Sequence, residues 1–327
     1  MTPRVPYVSV VDPIGPAIER VKMVLFRPFS LERWIVIGFC AWLAHLAEGG
    51  GGGGGGGGRA QRNIGRGSNF RGMAEEAREF TAANLYWLLP VAIITLIIVV
   101  GLWLLVIWLS SRGRFMFLYC VARNKAEVKN PWRQFGEHGD RLFAFRVIVG
   151  IIAFGLTVLF AAMIVVPIFV VQINIALAIA GGVVGGMLLL VSMIAFGIIG
   201  KCTKDFAVPI MYMGTPSATQ AWRILLDILA VNKARFFLYL LFQIVIGMAI
   251  GSIVVATACV TCGCACCLLA VPVIGTVVLL PILVFQRSYP LYYLAQYGQE
   301  FNAFAPAPEA APPAGPPAGQ TPNGSFG

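Results

Sequence analysis

The sequence predicts an all-α, polytopic transmembrane helix bundle of about six spans. Hydrophobic residues make up 58% of the 327 residues and charged residues only 12%, and the mean hydropathy is +0.82. A soluble globule of this length needs more polar surface than that. Lys and Arg gather in blocks between long apolar runs, an arrangement typical of multi-pass membrane proteins.

Five long runs of the chain contain no charged residue and are candidate membrane spans. They cover residues 85–109, 147–171, 175–200, 236–258 and 268–285. About 20 helical residues cross a hydrocarbon core of about 30 Å. A sixth run, residues 34–47, reaches only roughly 21 Å and crosses if it extends back towards residue 29. A re-entrant segment is the alternative there.

The distribution of basic residues orients these runs. The segment 112–146 holds eight of the 24 Lys and Arg residues, and basic loops stay on the cytoplasmic side. Six crossings with both termini in the cytoplasm put 19 of these residues inside and five outside. We therefore expect a multi-pass protein of the bacterial plasma (inner) membrane with both termini cytoplasmic.

The runs pair into three hairpins that resemble one another. Each follows a helix-capping residue and a proline, namely Asp12-Pro13, Asn130-Pro131 and Thr215-Pro216. Each ends in a cation and an aromatic residue, in Arg112-Gly-Arg-Phe, Lys201-Cys-Thr-Lys-Asp-Phe and Arg287-Ser-Tyr. This pattern predicts three repeated units of interfacial helix plus transmembrane hairpin. The alternative is that unrelated hairpins share capped basic loops.

The resulting division of the chain has five parts. These are a cytoplasmic interfacial helix (1–33), a first hairpin (34–110) with a Gly-rich polar loop (48–84), a basic loop and second hairpin (111–200), a loop and third hairpin (201–286), and an interfacial exit with a disordered tail rich in Pro and Ala (287–327).

Amphipathic stretches between the runs are expected to lie in the headgroup layer, with their cations on anionic lipid. The candidate lipid-binding residues are Arg20, Lys22, Arg133, Arg141, Arg223, Lys233 and Arg235. The net charge of +10 does not favour nucleic-acid binding, because the sequence contains no soluble domain that could carry a basic face with stacking aromatic residues. A further membrane protein is the other expected partner, and the oligomeric state is open.

Five cysteines lie close together near the end of the third hairpin. They are Cys259, Cys262, Cys264, Cys266 and Cys267. Packing as small residues is the favoured interpretation, and a disulfide in an oxidising compartment is the second. A metal site is the weakest, because no histidine is near and the paired CxxC arms of structural zinc are missing.

No catalytic arrangement is recognisable. His45 and His138 are the only histidines, and without a carboxylate at helical spacing within a span we expect both to be structural or solvated. The five uncharged runs lack the ionisable groups that ion-coupled transporters keep at depth. Gln243 is the main buried polar side chain expected, and Gly181, Gly182, Gly185 and Gly186, with Gly247 and Gly251, have the spacing of close helix packing.

Several segments resemble an uncharacterised family of bacterial multi-span membrane proteins, distantly similar to the membrane domain of some glycerophosphodiester phosphodiesterases. They are PFSLERWIVIGFCAWLA before the glycine run, PWRQFGEHGDRLFAFR, DFAVPIMYM with the later AWR, and LLPILVFQRSYPLYYLAQYG. The resemblance covers roughly residues 12–304 and implies no catalytic residue.

The sequence therefore favours a non-enzymatic membrane protein, without cofactor, that organises the membrane or binds lipid or a partner. A passive permease or transport subunit, with a path near Gln243, Gln172 and Asn174, is the alternative. A lipid-directed membrane enzyme is the least favoured, because candidate acids and bases are confined to the loops.

Overall fold

The computed structural model describes residues 8–48, 85–170, 175–214, 217–261, 271 and 273–304, and within them the protein is helical without strands. The helices are α1 (Ile14–Phe26), α2 (Leu31–His45), α3 (Leu85–Arg123), α4 (Lys129–Gln134), α5 (Gly136–Val170), α6 (Ile175–Cys202), α7 (Val208–Tyr212), α8 (Ala218–Val231), α9 (Lys233–Val260), α10 (Ile274–Val278) and α11 (Leu280–Ala295).

Four helical stretches in the described part of the chain are long and apolar enough to cross a membrane. They are Leu89–Arg123, Gly136–Val166, Ile179–Tyr212 and Lys233–Val260, with mean hydropathies from 2.3 to 3.0. In the most apolar 18-residue window of each stretch, at most 6% of the residues are buried, and many large apolar side chains there are exposed. Water does not tolerate an apolar surface of this extent, so the protein is a membrane protein.

The expectation of six spans is not confirmed by helix length. α2 has 15 residues, which corresponds to roughly 22 Å. The last apolar run is divided between the five-residue α10 and the start of α11, with Leu279 between them. Pro281 lies in the first turn of α11, where proline is tolerated, so the kink expected inside a single helix is a helix boundary instead.

Two of the predicted loops are largely helical. α3 continues past Leu109 to Arg123, and only Asn124–Val128 separate it from α4. α6 likewise continues through a π-helical turn, Thr203–Ala207, into α7. The segment 112–146, expected as a basic loop, is therefore largely helical: arginine is a good helix former, and no proline interrupts the chain before residue 124.

The predicted helix caps also differ. α1 begins after Pro13, and the Ser9 hydroxyl, not the Asp12 side chain, accepts the nearby backbone N–H groups of Val11 and Asp12. Asn130 lies inside α4 and donates to Glu127. The third pair, Thr215-Pro216, lies outside the described residues, as do residues 49–84, 172–174 and 305–327.

Aromatic side chains form the centre of the larger core. Tyr239 of α9 lies with its ring centroid 4.5 Å from that of Tyr293 and 5.0 Å from that of Phe206. Tyr289 stacks on the same ring. This core joins α9 and α11 to the π-helical turn, and so fixes the end of α6 against the C-terminal helix.

A second core joins α2, α3 and α11. Here α2 and α3 approach so closely at Gly113 that an added Cβ would lie 2.7 Å from the backbone of Leu43 and Ala44. Of the glycines predicted to allow close helix packing, Gly185 does so within the molecule, where it lies against Ile164 of α5. A Cβ added at Gly182, Gly186, Gly247 or Gly251 would meet nothing within 4 Å. The glycine pattern was thus informative at one position.

The N-terminal segment is tied to the C-terminal helix. The backbone N–H of Ser9 donates to Oε1 of Gln296 at 2.7 Å, and the Gln296 amide donates back to the Ser9 carbonyl at 3.0 Å. The Tyr289 hydroxyl donates to the carbonyl of Val10 at 2.8 Å. α1 and α11 consequently pack along each other.

Candidate functional site

Charged side chains from four elements meet where four of the apolar runs end. We call this group the charged cluster. It comprises His45 at the end of α2, Glu48 just after it, Arg114 of α3, Lys204 and Asp205 of the π-helical turn, and Arg287 of α11.

Glu48 connects two cations in this cluster. Its Oε1 lies 2.6 Å from Nη2 of Arg114, and its Oε2 lies 2.8 Å from Nζ of Lys204. Burial opposes ionisation of the carboxyl group, but the attraction of Lys204 and Arg114 outweighs it and lowers the pKa of Glu48 to about 2. The carboxylate is therefore ionised at any physiological pH.

The π-helical turn presents Lys204 and Asp205 to different neighbours. Lys204 Nζ also lies 3.2 Å from Nε2 of His45, while Asp205 accepts from Lys201 at 2.9 Å and from the Tyr239 hydroxyl at 3.1 Å. π-helical turns are rare and frequently occur at functional sites.

Gln243 is partly buried, and it continues this chain of polar contacts. Its amide donates to the Tyr239 hydroxyl at 2.9 Å, and its Oε1 lies 3.5 Å from Nζ of Lys201. The Gln172 and Asn174 side chains that we expected near it lie outside the described residues. Gln243 is thus part of the network around Asp205.

Two arginines of the cluster are more than nine-tenths buried and incompletely paired. Arg287 is 5% exposed and donates through Nη1 to the carbonyl of Lys204, and burial lowers its pKa to about 10. Its Nε and Nη2, together with Nε of Arg114, which is 7% exposed, find no hydrogen-bond partner among the described residues. Such buried donors are costly unless something fills the remaining positions.

An open groove of about 510 Å³ borders the cluster between α5 and α6. Its charged end is formed by Glu48, Arg114, Arg146, Lys201 and Lys204. Its walls are formed by Phe145, Val149, Gly150, Ala153, Phe196, Ile199, Gly200 and Thr203. The site therefore combines an apolar channel with a cationic end.

The cations predicted to bind lipid have different surroundings. Arg20 donates through Nε and Nη2 to the carbonyl of Val121 and lies over the ring of Phe304, so it also ties α1 to the end of α3. Lys22 pairs with Glu19 and Arg141 with Glu137 on the surface. Arg133, Arg223 and Lys233 are exposed, and Arg235 is partly buried. None of the seven lines the groove.

The cysteine cluster falls mostly outside the described residues. Cys259 is exposed at the end of α9, and Cys262, Cys264, Cys266 and Cys267 follow in the undescribed segment. In the residues that the structure describes, no group of His, Cys, Asp and Glu could hold a metal ion.

The histidine expectation needs one correction. Glu48 lies three residues after His45, at helical spacing, and both belong to the cluster. Assigning Glu48 to the glycine-rich loop concealed this pair. His138 packs its ring against Phe115 and Phe135.

The sequence contained one signal for the cluster. The three exits that we identified as repeated, at Arg112, Lys201 and Arg287, are the segments that supply most of its charges. Similar residues at the same end of successive hairpins indicate a common location. Their mutual contact could not be derived without the packing of the helices.

Fold and site together define an all-helical membrane protein with a charged cluster at the ends of its apolar helices. The chain belongs to a family of unknown function, DUF7544, whose family model matches residues 8–279. No curated protein and no solved structure matches the chain. The expected uncharacterised family is thereby supported, whereas the distant similarity to glycerophosphodiester phosphodiesterases finds no support.

Proposed function

We propose that this protein is a multi-pass protein of the bacterial plasma membrane that acts without catalysis, by binding anionic lipid headgroups at its cytoplasmic face. The observation that carries the proposal is the pairing of exposed apolar helices with exposed cations on adjoining helical segments, namely Arg133 in α4, Arg223 in α8 and Lys233 at the start of α9. Juxtamembrane cations attract anionic lipid by about 1 kcal/mol each.

Contacts between distant segments support crossings in pairs, as the six crossings that we propose require. Arg20 in α1 binds the end of α3, so α1 and Val121 share one side of the membrane. Because α3 itself crosses, an odd number of crossings must lie between Phe26 and Leu85. Both ends of α2 contact the chain beyond residue 109, Arg33 at Asn124 and Glu48 at Arg114, so α2 by itself does not supply that crossing. The Tyr293 hydroxyl lies 3.4 Å from the carbonyl of Arg235, which by the same argument requires a return crossing after α9.

The order of elements supports three repeated units. A shorter helix precedes a longer apolar one in α1–α2, in α4–α5 and in α8–α9. The exits of the units converge on the charged cluster. In this arrangement the shorter helices lie at the cytoplasmic interface, both termini are cytoplasmic, and the basic segment around residue 125 faces the cytosol.

Lipid selectivity at the protein surface tests the proposal. The full chain is reconstituted in vesicles with spin-labelled phosphatidylglycerol or phosphatidylcholine, and the fraction of label immobilised by the protein is measured. We expect a preference for phosphatidylglycerol that disappears at about 1 M salt, where the Debye length is about 3 Å. The triple variant R133Q/R223Q/K233Q should lose most of this preference.

Equal immobilisation of both lipids at low salt would count against the proposal. The matched control is the triple variant Q134N/Q220N/A234S, which changes exposed neutral residues of the same three helices without changing charge. It should retain the preference of the unmodified protein.

A further inference from the structure

The groove between α5 and α6 contains more positive than negative charge. Four cations line it, Arg114, Arg146, Lys201 and Lys204, and Glu48 is the one carboxylate among the described lining residues. Glu48 already forms ion pairs with Arg114 and Lys204. Lys201 is paired with Asp205 outside the lining.

Arg146 has only neutral side-chain partners in the part of the chain that the structure describes. Its Nη1 lies 3.0 Å from the hydroxyl of Ser111 and 3.4 Å from that of Ser110. The neighbouring carboxylates are engaged elsewhere, since Asp140 pairs with Arg112 and Glu137 with Arg141. Glu48 also attracts Arg146 but is already paired with Arg114 and Lys204, so the partly buried guanidinium is incompletely balanced and an anion from outside would supply the missing charge.

Arg114 provides a second, independent indication. It lines the groove, is 7% exposed, and its Nε has no hydrogen-bond partner among the described residues. The fork of an arginine suits bidentate binding of a phosphate. Arg114 and Arg146 both line the groove, so a phosphate group at its charged end would meet two cations.

The rest of the groove suits an acyl chain. Its walls come from the apolar segments Gly136–Val166 and Ile179–Tyr212, which present their surface to lipid. Gly150 and Gly200 line it, and a Cβ added to either would meet nothing within 4 Å. Arg146 directly precedes one uncharged run and Lys201 directly follows another, so the cationic end lies at the depth of lipid headgroups.

We propose that this groove binds one anionic phospholipid, with its phosphate at Arg114 and Arg146 and an acyl chain along Val149, Ala153 and Ile199. This site deepens the proposed function and rests on it: the exposed cations attract anionic lipid loosely, and the groove holds a single molecule. Its residues differ from those of the surface site, so the two can be tested separately.

Native mass spectrometry of the full chain in neutral detergent tests the groove. Dioleoyl phosphatidylglycerol, dioleoyl phosphatidylcholine or inorganic phosphate is titrated and bound molecules are counted. We expect one phosphatidylglycerol to bind before any phosphatidylcholine. Millimolar inorganic phosphate should not displace it. Displacement would indicate a small-anion site and overturn the lipid assignment.

The glycines allow a variant that blocks the groove. In G150L/G200L the Cβ of each new side chain meets no other atom, so the side chain can extend into the groove, and we expect at least about tenfold weaker binding of phosphatidylglycerol. The control G155L/G197L adds the same side chains to the same two helices, also into open space but outside the groove lining, and should bind as the unmodified protein does.

A charge variant gives the second measurement. R146Q should weaken phosphatidylglycerol binding by about tenfold, whereas R223Q, whose cation is exposed and outside the groove, should not. The melting temperature of each variant establishes that it is folded. If G150L/G200L does not fold, the lipid binding of R146Q alone tests the site. Unchanged phosphatidylglycerol binding in folded groove variants overturns the groove site. Equal immobilisation of the two spin-labelled lipids, with binding in the groove intact, overturns only the proposed function.

Discussion

Glu48 holds the charged cluster together because each of its carboxylate oxygens has its own cation. Arg114 and Lys204 come from different elements, and neither has another carboxylate within bonding distance in the described residues. The nearest alternatives are occupied, since Asp205 pairs with Lys201. Removing the carboxylate would leave two neighbouring positive charges in a partly buried setting.

We expect the substitution Glu48→Gln to lower the thermal stability of the detergent-solubilised protein. Because about a third of the Glu48 side chain is exposed, the loss should be about 1–2 kcal/mol, below that for a fully buried pair. The matched control is Glu19→Gln, which breaks the exposed pair with Lys22 and should change the melting temperature very little. Equal effects would contradict the assignment.

The low pKa of Glu48 predicts how stability depends on pH. The pKa is about 2 in the folded protein, against an ordinary value of 4.5, so its contribution is fully present above about pH 4.5 and is lost as the pH falls towards 2. The unmodified protein should lose melting temperature across this range. Glu48→Gln should show a smaller loss, and an identical pH profile would disprove the proposed contribution.

At the scale of the elements, the sequence identified the apolar runs but not where their helices end. Four of the five uncharged runs lie in long helices, because hydrophobicity and length suffice to recognise them. The extension of α3 to Arg123 was missed, because charges were taken to end the helix, whereas Arg112 pairs with Asp140 and Arg114 with Glu48. A charge can lie within a helix when another element supplies its partner.

The contact between α2 and α3 gives a prediction with an internal control. Gly113→Ala would place a Cβ 2.7 Å from backbone atoms of α2, which cannot move aside as a side chain can, and should destabilise the protein by about 1–3 kcal/mol. Gly101→Ala lies in the same helix and faces open space, so it should be neutral or stabilise by up to about 1 kcal/mol. Thermal melting of both variants tests this, and a reversed order would argue against the packing.

At the scale of the whole molecule, composition is enough to recognise a membrane protein, but the sequence does not reveal how the charges are arranged in space. The seven cations predicted to bind lipid lie outside the groove, whereas Arg114, Arg146 and Lys204 line it. The two groups are alike in sequence, each being basic residues next to apolar runs. Only the packing of α3, α5, α6 and the π-helical turn distinguishes a surface cation from one that lines the groove.

The membrane orientation can be tested at Lys125, which is exposed in the short connection between α3 and α4. A protease site inserted there should resist protease added to intact spheroplasts and be cut in inverted membrane vesicles, because the basic segment is expected in the cytosol. The same site appended after Gly327 should behave identically. Cleavage from outside at either position would contradict the proposed topology.

The hydrogen bonds between Ser9 and Gln296 impose an order on biosynthesis. These residues are separated by 287 positions, so at about 5–20 residues per second the ribosome needs roughly 15–60 seconds to deliver the second after the first. Throughout that time the start of the chain lacks its final neighbour. The contact between the two ends of the described chain therefore forms last. In nascent chains halted before Tyr289, the N-terminal segment would stay accessible to the insertion machinery and to proteases.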